Sequence, residues 1–155
     1  LHAASVLRGL ERAIGLGWLG ALPADDFNVD EYEYYENPAA FNLNQITPQF
    51  VAFIGPKDRD WGEGDWAAYL HEPIEYVDEF LQRGVSTVVR LNDPASYDPS
   101  PFTQAGIEVL DLEFPDCTVP SPRVIERFLD AVDACQDRIA VHCLAGLGRT
   151  GTLIA

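Results

Sequence analysis

The sequence lacks methionine altogether and is poor in basic residues. Among its 155 residues, Lys and Arg total 10 and Asp and Glu total 25, which gives a formal charge of −15. A charge of that sign repels nucleic acid and anionic membrane surfaces and attracts basic peptides, although by itself it favours nothing more than a solubilising surface. Because no Met begins the chain and Ala155 falls inside a predicted helix, we expect a piece of a longer protein.

Long hydrophobic runs and paired cysteines are absent as well. The longest apolar stretch, residues 6–24, is interrupted by three charged residues, so we expect no membrane span, and no secretory signal is visible. The three cysteines have no paired spacing, which argues against a disulfide framework and against a zinc site: Cys117, Cys135 and Cys143. We therefore expect a reducing, intracellular compartment and no metal ion or other cofactor.

The chain is long enough for one globular domain and too short for two comfortable ones. Apolar residues recur at helical spacing from Val6 to Ile14 and predict a helix that ends near Gly15. Residues 25–36 carry six carboxylates and no basic side chain. They indicate a linker that enters a short helix, which Asn37 and the following proline end.

Predicted strands and helices alternate from residue 50 onward. Apolar and β-branched runs indicate strands over residues 50–54, 87–91, 107–114 and 138–142. Apolar periodicity indicates helices over residues 73–83 and 122–136 and a third that begins at Gly148. The apolar face of the second helix comprises Val124, Ile125, Phe128, Leu129 and Val132. This alternation is typical of an α/β fold in which helices flank a central, mostly parallel sheet.

The segment after the last predicted strand carries the chemistry. It joins a strand end to a helix start and consists of Cys143, Leu144, Ala145, Gly146, Leu147, Gly148, Arg149 and Thr150. Successive backbone N–H groups of such a turn cradle a phosphate dianion, and the helix N-terminus adds partial positive charge. Gly146 and Gly148 permit dihedrals that turn the amides inward. Arg149 supplies a two-pronged clamp, so we predict that residues 144–149 bind phosphate.

The same surroundings favour the thiolate of Cys143. A helix N-terminus and a neighbouring Arg lower a thiol pKa, which makes Cys143 a nucleophile at neutral pH. Thr150 follows Arg149 directly, and we expect its hydroxyl to donate to the sulfur. Two interpretations of His142 stay open, because it either hydrogen-bonds loop carbonyls and orients the nucleophile or is an ordinary core histidine.

A thiolate alone cannot expel a serine or threonine alkoxide, so a protonated acid must reach the leaving oxygen. Asp116 is the candidate because it follows the predicted strand 107–114 and opens a turn-rich loop. Strand ends at one edge of a parallel sheet are where sites assemble, and Cys143 also follows a strand. An ordinary turn aspartate is the alternative interpretation of Asp116.

The segment from His142 to Gly151 resembles the signature loop of the cysteine-based protein tyrosine and dual-specificity phosphatases. Together with residues 30–36, 90–92 and 102–106, the chain resembles the mitotic-exit dual-specificity phosphatases, which reverse proline-directed phosphorylation by cyclin-dependent kinases in the cell cycle. Asp116 lies 27 positions before Cys143, as the family's acid does. The resemblance implies the cysteine-phosphatase fold, cut off after the start of the helix that follows the phosphate loop, and a location in cytoplasm or nucleus.

The resemblance also implies a division of the chain. Residues 1–24 would be the tail of a preceding domain, residues 25–45 an acidic interdomain linker helix and loop, and residues 46–155 the catalytic domain without its C-terminal helices. In the family the acidic helix lines a groove that accepts phosphoserine-proline sites followed by Lys or Arg. Glu33 and Glu36 correspond to the receiving carboxylates, and Asn42 replaces a third. Cys117 stands where the family has Gly.

Three alternative functions fit parts of the sequence. A phosphoinositide phosphatase would need Lys in the loop, where Leu144 and Leu147 stand, and the charge of −15 opposes anionic membranes. A catalytically inactive phosphopeptide-binding module would be expected to lose Cys143, Arg149 or Asp116. A sulfur-transfer domain gives no reason for Asp116. The sequence therefore predicts a protein phosphatase that acts on phosphorylated proteins and peptides with basic residues after the phosphosite, and not on nucleic acids or membranes.

Overall fold

The computed structural model describes residues 3–17, 29–37, 41–58 and 70–155. The chain divides into two compact units, Leu1–Tyr32 and Glu33–Ala155. The first unit contains helix α1 (Ala3–Gly15), as the apolar spacing predicts. Helix α2 (Val29–Glu36) is the short acidic helix predicted before Asn37. The predicted linker residues 18–28 and the proline after Asn37 lie outside the described residues.

A five-stranded sheet forms the centre of the second unit, in the order β1-β2-β5-β3-β4. Its strands are β1 (Leu43–Gln45), β2 (Phe50–Phe53), β3 (Val85–Arg90), β4 (Glu108–Asp111) and β5 (Arg138–His142). Strand β1 pairs with β2 in antiparallel fashion, and all other pairs are parallel. His142 pairs with Phe53 on one side and with Arg90 on the other, so three strands end at the same edge.

Four helices accompany the sheet: α3 (Pro73–Arg83), α4 (Ser100–Gln104), α5 (Pro122–Ala134) and α6 (Gly148–Ile154). The bounds of α3 are those that the sequence predicts, because a capping box of Glu72 and Glu75 begins the helix and Gly84, at φ 70°, ends it. Ser121 caps α5 by accepting from the backbone N–H of Val124. A short 3₁₀ turn, Pro94–Ser96, follows β3.

Two apolar cores cover the two faces of the sheet. One contains Tyr76, Phe80 and Phe102 from α3 and α4, and the other contains Phe128 from α5 together with Val141 and Cys143. Every described residue of β5 except Arg138 is buried. A strand buried on both faces needs a continuous apolar run, which is the pattern of residues 139–141. The predicted α/β fold with a mostly parallel sheet is therefore confirmed.

Some predicted elements differ in the structure. The strand predicted over 107–114 ends at Asp111, although Leu112 and Phe114 still donate backbone hydrogen bonds to Arg90 and Leu91. The sequence analysis missed β1 and α4, which are three and five residues long and therefore too short to show periodicity.

The predicted apolar face of α5 is also too wide. Only Phe128 is fully buried on this helix, and Val124 and Val132 pack against the same core one turn to either side. Ile125 and Leu129 are 39% and 54% exposed. Each lies one residue beyond the buried stripe and is therefore rotated about 100° around the helix axis.

Candidate active site

The loop between β5 and α6, residues 143–147, lies at the edge where the parallel strands end. We call it the cysteine loop. Gly146 has a φ of 72°, and a Cβ at this position would overlap the carbonyl oxygen of Phe53. The backbone N–H of Gly55 donates to Leu144 O at 3.2 Å, and a Cβ on Gly55 would overlap the carbonyl of Cys143. Two glycines therefore let the cysteine loop pack closely against the end of β2.

The thiol of Cys143 is 3% exposed and faces the start of α6. Burial by itself raises its pKa, but the Thr150 hydroxyl and the backbone N–H groups of Thr150, Leu147 and Gly146 lower the pKa more, so that it falls below its ordinary value. Thr150 Oγ1 is buried, and no other described group competes for its proton, so the hydroxyl is available to the Cys143 sulfur. The chemistry of this arrangement is that of an activated thiolate.

Two backbone carbonyls fix the position of the Arg149 side chain. Its Nη1 donates to Leu91 O at 3.3 Å and to Phe114 O at 3.1 Å, and the side chain is 9% exposed. Its Nε is buried and makes no hydrogen bond with the described residues. The two carbonyls fix the guanidinium plane while donors remain for a bound oxyanion, which is the geometry of a clamp.

Asp116 lies beside this guanidinium. Asp116 Oδ1 is 3.3 Å from Arg149 Nε, close enough for an ion pair but without the alignment of a hydrogen bond, and the Asp116 side chain is 64% exposed. The neighbouring turn is fixed by the Thr118 hydroxyl, which donates to Pro115 O at 2.6 Å. Of the side chains that the sequence analysis assigned to catalysis, the structure thus brings Asp116, on the loop after β4, beside Arg149, in the first turn of α6 that follows Cys143.

His142 is fully buried, and both interpretations left open by the sequence apply to it. Its Nδ1 lies 3.0 Å from Cys143 O, and its Nε2 lies 2.9 Å from the Tyr97 hydroxyl. Burial lowers the pKa of His142 to about 3, so the ring is neutral. A carbonyl can only accept, so Nδ1 carries the proton and Nε2 accepts from Tyr97. The ring packs in the core and also fixes the backbone of the nucleophile.

Comparison with known proteins agrees with this geometry. The sequence model of a family described as "polymorphic toxin system, DSP-PTPase phosphatase" matches residues 70–155. The chain belongs to this phosphatase family. It is 44% identical over 156 residues to the tyrosine-protein phosphatase cdc-14 of Caenorhabditis elegans, with 100% of this chain and 21% of that protein aligned. It is 44% identical over 137 residues to the human dual specificity protein phosphatase CDC14C, with 88% of this chain and 30% of that protein aligned.

A solved structure of similar fold is the putative protein tyrosine phosphatase from Leishmania major. It has a TM-score of 0.51 and 26% identity, over 68% of this chain and 63% of that one. These findings confirm the predicted resemblance to the dual-specificity phosphatases and the cysteine-phosphatase fold. The chain spans about a fifth to a third of the curated relatives it matches.

Two of the three predicted specificity residues lie next to β1, since Glu36 contacts Asn44 and Asn42 directly precedes the strand. Glu36 Oε1 accepts from Asn44 Nδ2 at 3.3 Å, and Glu33 is exposed one turn earlier on the acidic helix. Asn42 has a φ of 42°, and its carbonyl accepts from the N–H of Ile54, the residue that directly follows β2 and precedes Gly55. The structure therefore places Asn42 at the edge of the site and anchors Glu36 to the adjacent strand.

The sequence analysis missed Gly55 and Tyr97 as parts of this site. A glycine directly after a predicted strand was the available signal for Gly55, whereas Tyr97 lies far from His142 in sequence and gave none. In the four described ranges, no three His, Cys, Asp or Glu side chains are grouped so as to hold a metal ion. No helix in that part of the chain is both long enough and apolar enough to cross a membrane.

Proposed function

We propose that this chain forms the catalytic core of a protein phosphatase that acts on phosphoserine, phosphothreonine and phosphotyrosine through a phosphocysteine intermediate. The observation that carries the proposal is the buried Cys143 thiol, whose pKa is lowered by the Thr150 hydroxyl and three backbone N–H groups. Several hydrogen-bond donors directed at one sulfur are expected for a reactive thiolate nucleophile and not for an inert thiol packed in the core. The names of the relatives, dual-specificity and tyrosine-protein phosphatases, support the same substrate class.

In the first step, the Cys143 thiolate attacks the phosphorus and forms an S–P bond while the P–O bond to the substrate side chain breaks. Asp116 gives its proton to the leaving oxygen. Arg149 and the inward amides of residues 144–148 stabilise the charge on the three remaining oxygens. The anchoring of Arg149 Nη1 by two carbonyls keeps the clamp in place without the substrate.

In the second step, water attacks the phosphocysteine, and the S–P bond breaks to release orthophosphate and the thiolate. Asp116, now ionised, accepts the proton of that water, so the acid of the first step is the base of the second. The 3.3 Å distance between Asp116 Oδ1 and Arg149 Nε supports both roles, because a phosphoryl group bound by Arg149 would lie near this carboxylate.

For specificity, we propose a preference for phosphoserine-proline sites followed by a basic residue, as in sites of proline-directed kinases. Glu33 and Glu36 would receive the basic side chain, and Asn42 would lie at the near end of the same groove. The contact of Glu36 with Asn44 supports this, because it fixes one carboxylate beside a strand adjoining the site. The charge of −15 favours basic substrates in the same direction. We propose the cytoplasm or the nucleus as the location, because such substrates occur there.

The decisive experiment compares the wild-type protein with Cys143→Ser on phosphoserine-Pro-x-Lys peptides. We expect turnover to vanish in the variant while peptide binding persists, and wild-type protein quenched during turnover should carry phosphate on Cys143. Turnover that survives in Cys143→Ser would overturn the proposal, and binding unaffected with no turnover in either protein would indicate a phosphopeptide-binding module.

The groove is tested separately with peptides that differ only after the proline. We expect the wild-type protein to prefer Lys over Glu at the basic position and the double variant Glu33→Gln with Glu36→Gln to lose that preference. Glu11→Gln, on α1 in the other unit, is the matched control. A preference that is the same in both variants would leave the phosphatase proposal standing and remove the groove.

A further inference from the structure

An ion pair between a buried Arg and a partly exposed Asp joins the edge strand β4 to its neighbour β3. Arg90 Nε donates to Asp111 Oδ1 at 2.6 Å and Arg90 Nη2 donates to Asp111 Oδ2 at 3.2 Å, so both carboxylate oxygens are engaged. Arg90 is 2% exposed, whereas the Asp111 side chain is 44% exposed. A two-pronged contact of this kind fixes the plane of the guanidinium as well as its position.

The same guanidinium holds Tyr97. Arg90 Nη1 donates to the backbone carbonyl of Tyr97 at 2.9 Å, and Arg90 Cζ lies 4.5 Å from the centre of the Tyr97 ring. Tyr97 is 2% exposed and belongs to an irregular segment after the Pro94–Ser96 turn. A cation over an aromatic face is attracted to it and makes the phenol hydroxyl a better donor.

The hydroxyl of Tyr97 in turn sets the tautomer of His142. Because Nε2 accepts from that hydroxyl, the only ring proton lies on Nδ1 and is donated to the carbonyl of Cys143. If the proton moved to Nε2, the lone pair of Nδ1 would face the lone pairs of the Cys143 carbonyl. The close packing of Gly55 against the same two atoms leaves no room for the ring to turn away.

We propose that Arg90 and Asp111 are positioning residues for the nucleophile, acting through Tyr97 and His142 on the backbone carbonyl of Cys143. The inference rests on the proposed function, since it concerns the same nucleophile. The carbonyl of Cys143 belongs to the first peptide of the cysteine loop, so its orientation sets how the following N–H groups point at the sulfur. The neutral ring conveys this orientation by its hydrogen bonds and not by charge.

The electrostatic effect of a substitution and the loss of positioning predict opposite changes in the ionisation of the Cys143 thiol, which makes the inference testable. Lys57, Arg90 and Asp111 all lie close enough to act electrostatically on His142. Arg149, in the helix that follows the cysteine loop, is paired with Asp116. Replacing Asp111 by Asn removes a negative charge, which by field alone would ease ionisation of the thiol. Loss of positioning turns donors away from the sulfur and makes ionisation harder.

The experiment measures the rate of Cys143 alkylation by iodoacetamide as a function of pH, in the full chain, for wild type and for Asp111→Asn, Tyr97→Phe and the double variant. Protection by orthophosphate identifies the signal of Cys143 among the three cysteines. Glu108→Gln, which removes a carboxylate from the same strand, is the matched control. Thermal unfolding of each variant shows whether it is folded at the temperature of the assay.

We expect the midpoint of alkylation to rise by about half a pH unit to one unit in Asp111→Asn and Tyr97→Phe, which is about threefold to tenfold less thiolate below the midpoint. The double variant should match Tyr97→Phe alone, because both changes act along one path. Glu108→Gln should keep the wild-type midpoint. A midpoint that falls or stays unchanged in a folded Asp111→Asn would overturn the inference, as would additive effects. Alkylation requires no turnover, so these outcomes are separate from those of the Cys143→Ser test.

Discussion

Asp116 Oδ1 and Arg149 Nε lie 3.3 Å apart, across the mouth of the cysteine loop. The first belongs to the loop after β4 and the second to the first turn of α6, so the contact joins the two segments to which the proposed mechanism assigns acid and clamp. A phosphate bound by Arg149 would therefore lie beside the carboxyl group that protonates its leaving oxygen.

Substitution Asp116→Asn tests the role of the acid. We expect kcat on phosphoserine and phosphothreonine peptides to fall by about 100-fold to 10,000-fold, because an alkoxide must then leave without a proton. An aryl phosphate with a strongly acidic phenol needs no such help and should lose far less. The exposed Glu113, three residues earlier, gives the control Glu113→Gln. Equal losses on both kinds of substrate would show that Asp116 only supports the loop.

The clamp is tested by Arg149→Lys, which retains the charge and loses the planar pair of donors. We expect kcat to fall by about 100-fold to 1,000-fold, as for loss of an oxyanion donor. The carbonyl of Phe114 also loses the Arg149 donor, whereas that of Leu91 still accepts from the backbone N–H of Phe114. An unpaired buried acceptor costs about 1–3 kcal/mol of unfolding free energy. Parallel kinetics and urea unfolding separate the two effects. Near-normal kcat in Arg149→Lys would mean that charge alone suffices.

The neutral, buried His142 predicts a loss of stability in acid. Its pKa is lowered from 6.5 to about 3, so between those values the unfolded chain binds a proton that the folded chain excludes. The contribution of this group is complete above about pH 6.5 and is lost as the pH falls towards 3, with a slope of up to about 1.4 kcal/mol per pH unit. Between these pH values, the free energy of unfolding measured in urea should change less with pH in His142→Gln than in wild type. Parallel pH dependences in the two proteins would mean that His142 is protonated in the folded state.

Two glycines near the same loop predict opposite effects of alanine. Gly146→Ala forces a left-handed φ of 72° on a residue with a Cβ and overlaps Phe53 O, so we expect a loss of well over about 1 kcal/mol of stability together with most of the activity. Gly151 lies in α6, and a methyl group added there would meet no neighbouring side chain or loop, so Gly151→Ala should stabilise by about 0.5–1 kcal/mol. Thermal unfolding of both variants is the measurement, and a tolerated Gly146→Ala would contradict the close packing of the loop.

The strained position of Cys117 gives one more prediction. Its φ of 56° is left-handed, a conformation that costs a residue with a Cβ about 1–2 kcal/mol and costs glycine nothing. Cys117→Gly should therefore raise the unfolding free energy, offset in part by the greater freedom of glycine in the unfolded chain. Denaturant unfolding is the measurement, and a clear destabilisation would show that the exposed thiol makes a contact that matters.

The sequence alone determined those features that local chemistry specifies. The cysteine loop can be recognised without knowing what packs against it, because a buried strand is followed by a Cys, two glycines and an Arg at a helix start. Strand burial, loop dihedrals and helix polarity each depend on only a few consecutive residues. For the same reason, the bounds of α3 and β5 follow from the sequence, with a capping box at one end of α3 and a left-handed glycine at the other.

Only the tertiary structure determined the features that depend on contacts between residues far apart in the sequence. The pairing of β1 with β2, the exposure of Ile125 and Leu129, and the contacts of Gly55 with the cysteine loop all follow from packing between elements. The path from Asp111 through Arg90 and Tyr97 to His142 is of this kind. Arg90, Asp111 and His142 lie close together because the parallel strands that carry them end at the same edge of the sheet. The spacing of these residues along the chain does not indicate this.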